Sequence, residues 1–268
     1  MLRQTARAWL DQRQPAVIVE VLETQGSVPR EAGTRMLVAA HQLAGTIGGG
    51  HLEFEAIRLA RQALAQAVWA PFSQRFPLGP RLGQCCGGVV TLGFAPLDEA
   101  RWSAWPETPP RFHLQLYGAG HVGQALVRLL ATLPCRVQWI DQREDSFPTP
   151  WPSGWPPQVE RICVDSVEAE VDVAPPGACY LVMTHQHDLD LRLTEAIVRR
   201  GDFRYFGLIG SKTKRARFEH RLAERGLSAQ VIARITCPIG VPEITGKEPE
   251  VIAMAVAAQL LQVTSSGA

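Results

Sequence analysis

The sequence predicts an α/β protein in which a smaller α+β domain precedes a doubly wound parallel sheet. Three observations predict it. From residue 112 onward, strand-like and helix-like periods alternate, as βαβ units require. A G-x-G-x-x-G segment, GAGHVG at residues 118–123, stands between the first of those strands and the first of those helices. Ahead of residue 112, β-branched runs flank Gly/Pro turns around one amphipathic helix, the pattern of a mixed sheet with its own core.

An opening helix over residues 2–12 leads into PAVIVEVLETQGSVPREAGTRMLVAA, which reads as strand, loop and strand. After GTIGGG the period changes. Leu52, Ile57, Leu59, Ala60, Ala63 and Leu64 form an apolar face, so a helix begins near His51. GVVTLGFAP returns to strand composition, and LDEARWSAWPETPPR then loses periodicity and gathers proline and tryptophan. These features set the expected boundaries: a first domain over 1–98, a Pro/Trp-containing linker over 99–111, and a second domain over 112–268. In the second domain FHLQLYGAG is a strand, HVGQALVRLLATL a helix and CRVQWID a strand. A proline-rich loop follows, then strands ERICV and ACYLVMT, helix DLRLTEAIVRR, strand YFGLIG, the basic helix SKTKRARFEHRLAERG and a last helix PEVIAMAVAAQLLQV. No internal repeat is present.

Composition narrows the function classes. With 27 Lys and Arg against 26 Asp and Glu in 268 residues, net charge offers nothing to nucleic acid or an anionic membrane. No apolar run is long enough to span a bilayer, and the N-terminus lacks a signal-peptide pattern, so a cytoplasmic protein is expected. The six cysteines are then expected to be reduced, with Cys135, Cys163, Cys179 and Cys237 filling the core beside apolar strands.

Four glycine- or histidine-bearing turns and one cysteine pair carry the chemistry. In GAGHVG, Gly118, Gly120 and Gly123 suit a tight turn, close backbone approach and helix packing, and amides near His121 would face an anion. Asp141 closes the next strand 18 residues after Gly123, placed to accept a ribose diol. The same segment also suits a sheet that packs this way and binds nothing. GTIGGG places Gly48, Gly49 and Gly50 at a helix start, and Arg30 and Arg35 are candidate phosphate contacts; a tight connection explains the glycines equally well. THQHDLD ends a strand with His185 and His187, which suit hydrogen bonding to a bound cofactor, while Asp188 or Asp190 suits a helix cap. It does not fit the H-x-H-x-D-H metal pattern, because Leu189 and Asp190 hold the fifth and sixth positions. GLIGSKTKR offers Ser211 as a cap and Lys212, Lys214 and Arg215 as phosphate contacts or as a solvated helix face.

In RLGQCCGGVV, Cys85 and Cys86 are adjacent. Consecutive Cα atoms lie ~3.8 Å apart, short of the ~4.4 Å minimum of ordinary disulfide geometry. The chain also contains no C-x-x-C, the usual zinc spacing. The pair therefore reads as one presented thiol, a soft metal donor, or else as two inert buried thiols.

Taken together and in order, ETQGSVPREAGTRM, GTIGGGHLE, GQCCGGVV, YGAGHVGQAL, THQHDLD, GLIGSKTKRARF and PIGVPEITGKEPEVIAMAVAAQLL resemble the xanthine dehydrogenase accessory protein family, XdhC/CoxI, along nearly the whole chain. The resemblance implies a CoxI-type domain followed by a Rossmann-like domain. It implies a cytoplasmic chaperone with no turnover and no catalytic residue, which binds molybdenum cofactor (molybdopterin) transiently, holds it for terminal sulfuration by a cysteine desulfurase, and inserts it into the apo molybdenum subunit of xanthine dehydrogenase. A homodimer is implied likewise. Cys85 or Cys86 is then the molybdenum contact, and the glycines, Arg30, Arg35, His121, Asp141, His185, His187, Ser211, Lys214 and Arg215 are candidate cofactor contacts. Two other readings compete: an NAD-dependent oxidoreductase on Gly118, Gly120, Gly123 and Asp141 with His185 or His187 as acid/base, and a module that senses a nucleotide without turnover.

Overall fold

The computed structural model describes residues 2–66, 68–78, 87–107, 109–148 and 155–265. The chain divides into two compact units, Met1–Thr108 and Pro109–Ala268.

The first unit is an antiparallel five-stranded sheet covered on both faces. Its elements are α1 (Leu2–Asp11), β1 (Ala16–Gln25), β2 (Arg35–Ala39), β3 (Leu43–Gly45), α2 (Gly50–Leu64), β4 (Phe72–Pro77), β5 (Val89–Pro96) and α3 (Glu99–Ser103), with strand order β3-β2-β1-β5-β4. Alternation along β1 divides its side chains. Val17, Val19 and Val21 join Met36 and Val38 beneath Leu52, Ala56 and Ala60 of α2. Ala16 and Ile18 face the other way, with Leu37 and Ala39, onto Ala6 and Trp9 of α1. The stretch 99–111, expected as a linker, is partly built into this unit: Asp98 caps α3 by accepting the Arg101 amide, and Trp102 and Trp105 pack on the α1 core. The expected strand, loop, strand and helix are present. β3 and β4, which carry little apolar alternation, were not expected.

The second unit holds β6 (His113–Tyr117), α4 (His121–Leu130), β7 (Arg136–Asp141), β8 (Val159–Cys163), α5 (Glu170–Val173), β9 (Cys179–Val182), α6 (His187–Arg200), β10 (Tyr205–Leu208), α7 (Lys212–Glu224), α8 (Ala229–Ile232), β11 (Ile235–Thr236) and α9 (Pro249–Ser265). Its six strands are parallel in the order β11-β10-β9-β6-β7-β8. Counted from β6, this is the doubly wound order 3-2-1-4-5-6 of dinucleotide-binding sheets read from the far edge. β9 and β10 are buried throughout, as strands covered on both faces must be. One core lies under α4 and α9 and the other under α6 and α7. The order in which strands are added to the sheet reverses between parallel neighbours β6 and β9, so their carboxyl ends, carrying GAGHVG and THQHDLD, lie side by side at the switch point.

Cys135, Cys179 and Cys237 are buried as expected, but Cys163, the last residue of β8, is exposed. The strand it ends lies at the edge of the sheet and buries only Val159, so the residue is not core filler.

Candidate functional site

The β6–α4 turn has the geometry its glycines require. Gly118 takes φ +116, and a Cβ there would stand 2.4 Å from the Met183 carbonyl oxygen, so only glycine lets β6 run this close to β9. A Cβ on Gly123 would meet the Gly118 carbonyl oxygen at 2.3 Å, whereas one on Gly120 would meet nothing within 4 Å. Gly120 caps α4 without a side chain, and His121 is exposed at the first turn.

Asp141 departs from the ribose-acceptor expectation. Its Oδ2 accepts the Ala119 amide at 2.7 Å and Arg143 Nη2 at 3.0 Å; its Oδ1 accepts the Arg143 amide and Nε, both at 3.0 Å. A carboxylate has about four lone-pair sites, and all are filled from within the unit. Burial alone would raise the Asp141 pKa, but the hydrogen bonds from Arg143 and from the two amides outweigh it and hold the carboxyl below its ordinary range. The crevice beside it, lined by Gly118, Asp141, Thr184 and His185, has a volume of about 10 Å³, room for about one water.

The next two turns are tied to each other. Asp190, 1% exposed, accepts the Thr184 amide and hydroxyl through Oδ1 and Lys214 Nζ at 2.6 Å through Oδ2. Lys214 Nζ also donates to the Ile209 carbonyl oxygen at 2.8 Å. Lys214 is thus an internal cation joining the ends of β9 and β10 rather than an open phosphate contact. Asp190 ties down Thr184 and does not cap α6. Arg215 pairs with Glu219 at 2.7 Å and reaches the Cys237 carbonyl oxygen, so it too is held in the unit. Ser211 caps α7 as expected, accepting the Lys214 amide. His185, within 3.0 Å of the Gln186 side chain, and His187 remain exposed at the start of α6, and Lys212 is exposed on α7.

In the first unit, three motifs distant in sequence meet. Gly88 packs on the loop that follows β1: a Cβ there would stand 2.3 Å from the Ser27 carbonyl oxygen. The same loop reaches the GTIGGG turn, because Gly48, at φ +122, lies where a Cβ would strike Pro29 at 2.6 Å, with the Arg30 stem at 3.6 Å. Gly49 and Gly87 face open space. Arg30 is exposed and makes no ion pair among the described residues. The turn's own donors are partly used, however. Glu53 Oε2 accepts the Thr46 hydroxyl, the Ile47 amide at 3.1 Å and the Gly49 amide at 3.2 Å. A carboxylate one turn into a helix, behind a run of glycines, is the sequence signal that identifies Glu53 in this role.

Arg35 does not join this corner. It lies on the sheet face opposite α2, paired with Glu20 at 2.8 Å and with its guanidinium 4.7 Å from the Trp105 ring centroid. Cys85 and Cys86 lie outside the described residues. Burial pushes the Cys135 and Cys179 thiols up to about 11 and raises Cys237 as well. Desolvation, with Glu144 alongside, raises exposed Cys163. None of these four is an activated thiol. Among the described residues no group of three or more His, Cys, Asp or Glu is placed to hold a metal, and no helix is long and apolar enough to cross a membrane.

Residues 114–260, more than half of the chain, match the model of the XdhC Rossmann domain. The chain belongs to the XdhC family. Residues 9–69 match a second model, described as the XdhC and CoxI family, so both units of this XdhC chain are covered in part. Over 263 residues the chain is 28% identical to the uncharacterized protein YqeB of Escherichia coli (strain K12), covering 96% of this chain and 45% of that protein. It therefore spans less than half the length of this curated relative. A crystal structure described as a xanthine dehydrogenase from Bacillus halodurans aligns with a TM-score of 0.75 at 19% identity, covering 99% of this chain and 96% of that one. That likeness establishes a shared fold.

Proposed function

We propose that this XdhC chain is an accessory protein of xanthine dehydrogenase maturation that binds molybdenum cofactor as cargo. It holds the cofactor while a cysteine desulfurase replaces a terminal oxo group by sulfur, then hands it to the apo molybdenum subunit. It works as a dimer and without turnover. The observation that carries this reading is the corner of the first unit where the loop bearing Arg30, the GTIGGG turn and the glycines following Cys86 come together. Family membership supports it.

The chemistry of the residues suits the cargo. Molybdopterin carries a phosphate, a dithiolene and a polar pterin. A thiolate at position 85 or 86 is a soft donor matched to the metal centre. Arg30 supplies a charge-assisted contact for phosphate, and open space at Gly49 and Gly87 lets a ligand approach the backbone. Glu53 keeps a negative charge beside the same turn, which limits how tightly an anion is held. Delivery requires that limit: a carrier that bound its cargo too tightly would not release it.

The test is anaerobic incubation of the purified chain with molybdenum cofactor, followed by gel filtration and assay of pterin and molybdenum in the protein fraction. Near-stoichiometric uptake by the wild type, lost in Cys85→Ala/Cys86→Ala and weakened in Arg30→Ala, is expected. Absence of stoichiometric pterin uptake by the wild type refutes the proposal. Transfer to apo xanthine dehydrogenase, read as recovered activity with and without a cysteine desulfurase, tests the delivery step.

A further inference from the structure

On the sheet face opposite α2, a cavity of about 570 Å³ opens between β1, β4, β5 and α3. This lies within the ~300–1,000 Å³ of small-molecule pockets, whereas the crevice of the second unit holds about 10 Å³. Its shape follows from a break in strand pairing. The β1–β5 register shifts between Val21 and Glu23, and Leu22 is left 46% exposed over Gly93. The missing side chain at Gly93 keeps the sheet surface low, since a Cβ there would already stand 3.0 Å from Leu22 Cδ1. Phe72 and Phe94 pair across β4 and β5 and stack, with centroids 4.6 Å apart, on the α2 side of the sheet, so the floor of the cavity is left to Ser73, Gly93 and Ala95.

Charge defines the occupant. Arg35 and Arg101 line the cavity with a single carboxylate, Glu20, between them. Arg35 donates one hydrogen bond to Glu20, and the Arg101 side chain donates to Asp98, which is not part of the lining. A guanidinium has five N–H donors, so both retain donors with no acceptor inside the cavity. Trp105 against Arg35 fixes that guanidinium in place. We infer that this cavity binds a small organic anion, its apolar body against Ile18, Leu22 and Ala95 and its acidic oxygens on Arg35 and Arg101. The site is on the other face of the sheet from the turn assigned above to the cofactor, and it does not depend on that reading.

The test is calorimetric titration of the full chain with 2-naphthoate and with its neutral isostere 2-naphthamide. One-to-one binding of naphthoate is expected, with naphthamide weaker by about tenfold or more, the worth of a hydrogen bond to a charged group. Arg101→Gln lowers naphthoate affinity by a similar factor. Ala95→Trp, which places an indole in the cavity, abolishes binding; should that variant misfold, Arg101→Gln decides alone. No binding of naphthoate, equal binding of the two probes, or unchanged affinity in Arg101→Gln overturns the inference. Self-association that Ala95→Trp abolishes and naphthoate fails to compete with also overturns it, in favour of a contact between copies of this chain.

Discussion

The Ala119 amide donates to Asp141 Oδ2 at 2.7 Å, so the glycine turn that opens the second unit is closed by a carboxylate from the end of the neighbouring strand. Removing that carboxylate leaves a buried amide without an acceptor. Asp141→Ala is expected to destabilise the protein by about 1–3 kcal/mol, measured by chemical denaturation at pH 7. An unchanged midpoint would show that the tie contributes nothing.

The same carboxylate gives a pH dependence of known sign. Its folded pKa lies below its ordinary value, so its stabilisation is fully present above the unfolded value of about 3.9 and is lost as pH falls through the lower folded value. Stability is expected to fall below about pH 4, and less steeply in Asp141→Asn. Denaturation midpoints of both proteins between neutral pH and pH 3 decide this, and parallel curves would contradict it.

Lys214 and Asp190 form an ion pair at 2.6 Å with Asp190 fully buried. Breaking one side of such a pair strands a charge at a cost of about 3–5 kcal/mol. Lys214→Met is expected to show that loss. Lys214→Met/Asp190→Asn is expected to recover part of it, because a neutral amide still accepts from Thr184. If the double variant is less stable than the single, Lys214 has a different partner in solution.

Glu53 closes the first unit's glycine turn as Asp141 closes the second's. Glu53→Ala removes an acceptor shared by three donors and is expected to cost about 1–2 kcal/mol. Hydrogen exchange should report it locally, with protection lost at the Ile47 and Gly49 amides and kept along β1. Unchanged protection at those two amides would remove Glu53 from this role.

Gly120 and Gly123 belong to one motif but differ in space. Gly120→Ala enters open surroundings at φ −73, where loss of the preferred N-cap glycine is offset by a stiffer unfolded chain, and is expected to change stability by less than about 1 kcal/mol. Gly123→Ala forces a methyl against the Gly118 carbonyl oxygen and is expected to cost about 1–3 kcal/mol. Thermal midpoints of the two variants separate them, and equal effects would show that the helix and strand pack less closely than described.

Much of the second unit was legible because its signals are local. Strand, glycine turn, helix and strand follow one another from His113 to Asp141, and Ser211 caps the helix it precedes in sequence. The short edge strands of the first unit were not. β4, FSQRFP, buries one residue of six, so its residues show no apolar alternation; it exists because β5 supplies hydrogen bonds. α3 was hidden in a proline- and tryptophan-rich stretch whose order depends on packing against α1.

Residue order alone determined where the turns fall, which strand precedes which helix, and that two differently built units follow one another. It did not determine which donors in those turns stay open. Ala119 and Asp141 are 22 residues apart, Asp190 and Lys214 are 24, and Gly88 meets Ser27, 61 residues earlier, where the paired strands β5 and β1 end. A local motif specifies backbone shape, but whether its N–H groups and cations face a ligand depends on carboxylates brought in by distant strands. Because a buried polar group must find a partner wherever the fold provides one, tertiary packing assigned Lys214 and Asp141 to the scaffold and left Arg30 exposed to solvent.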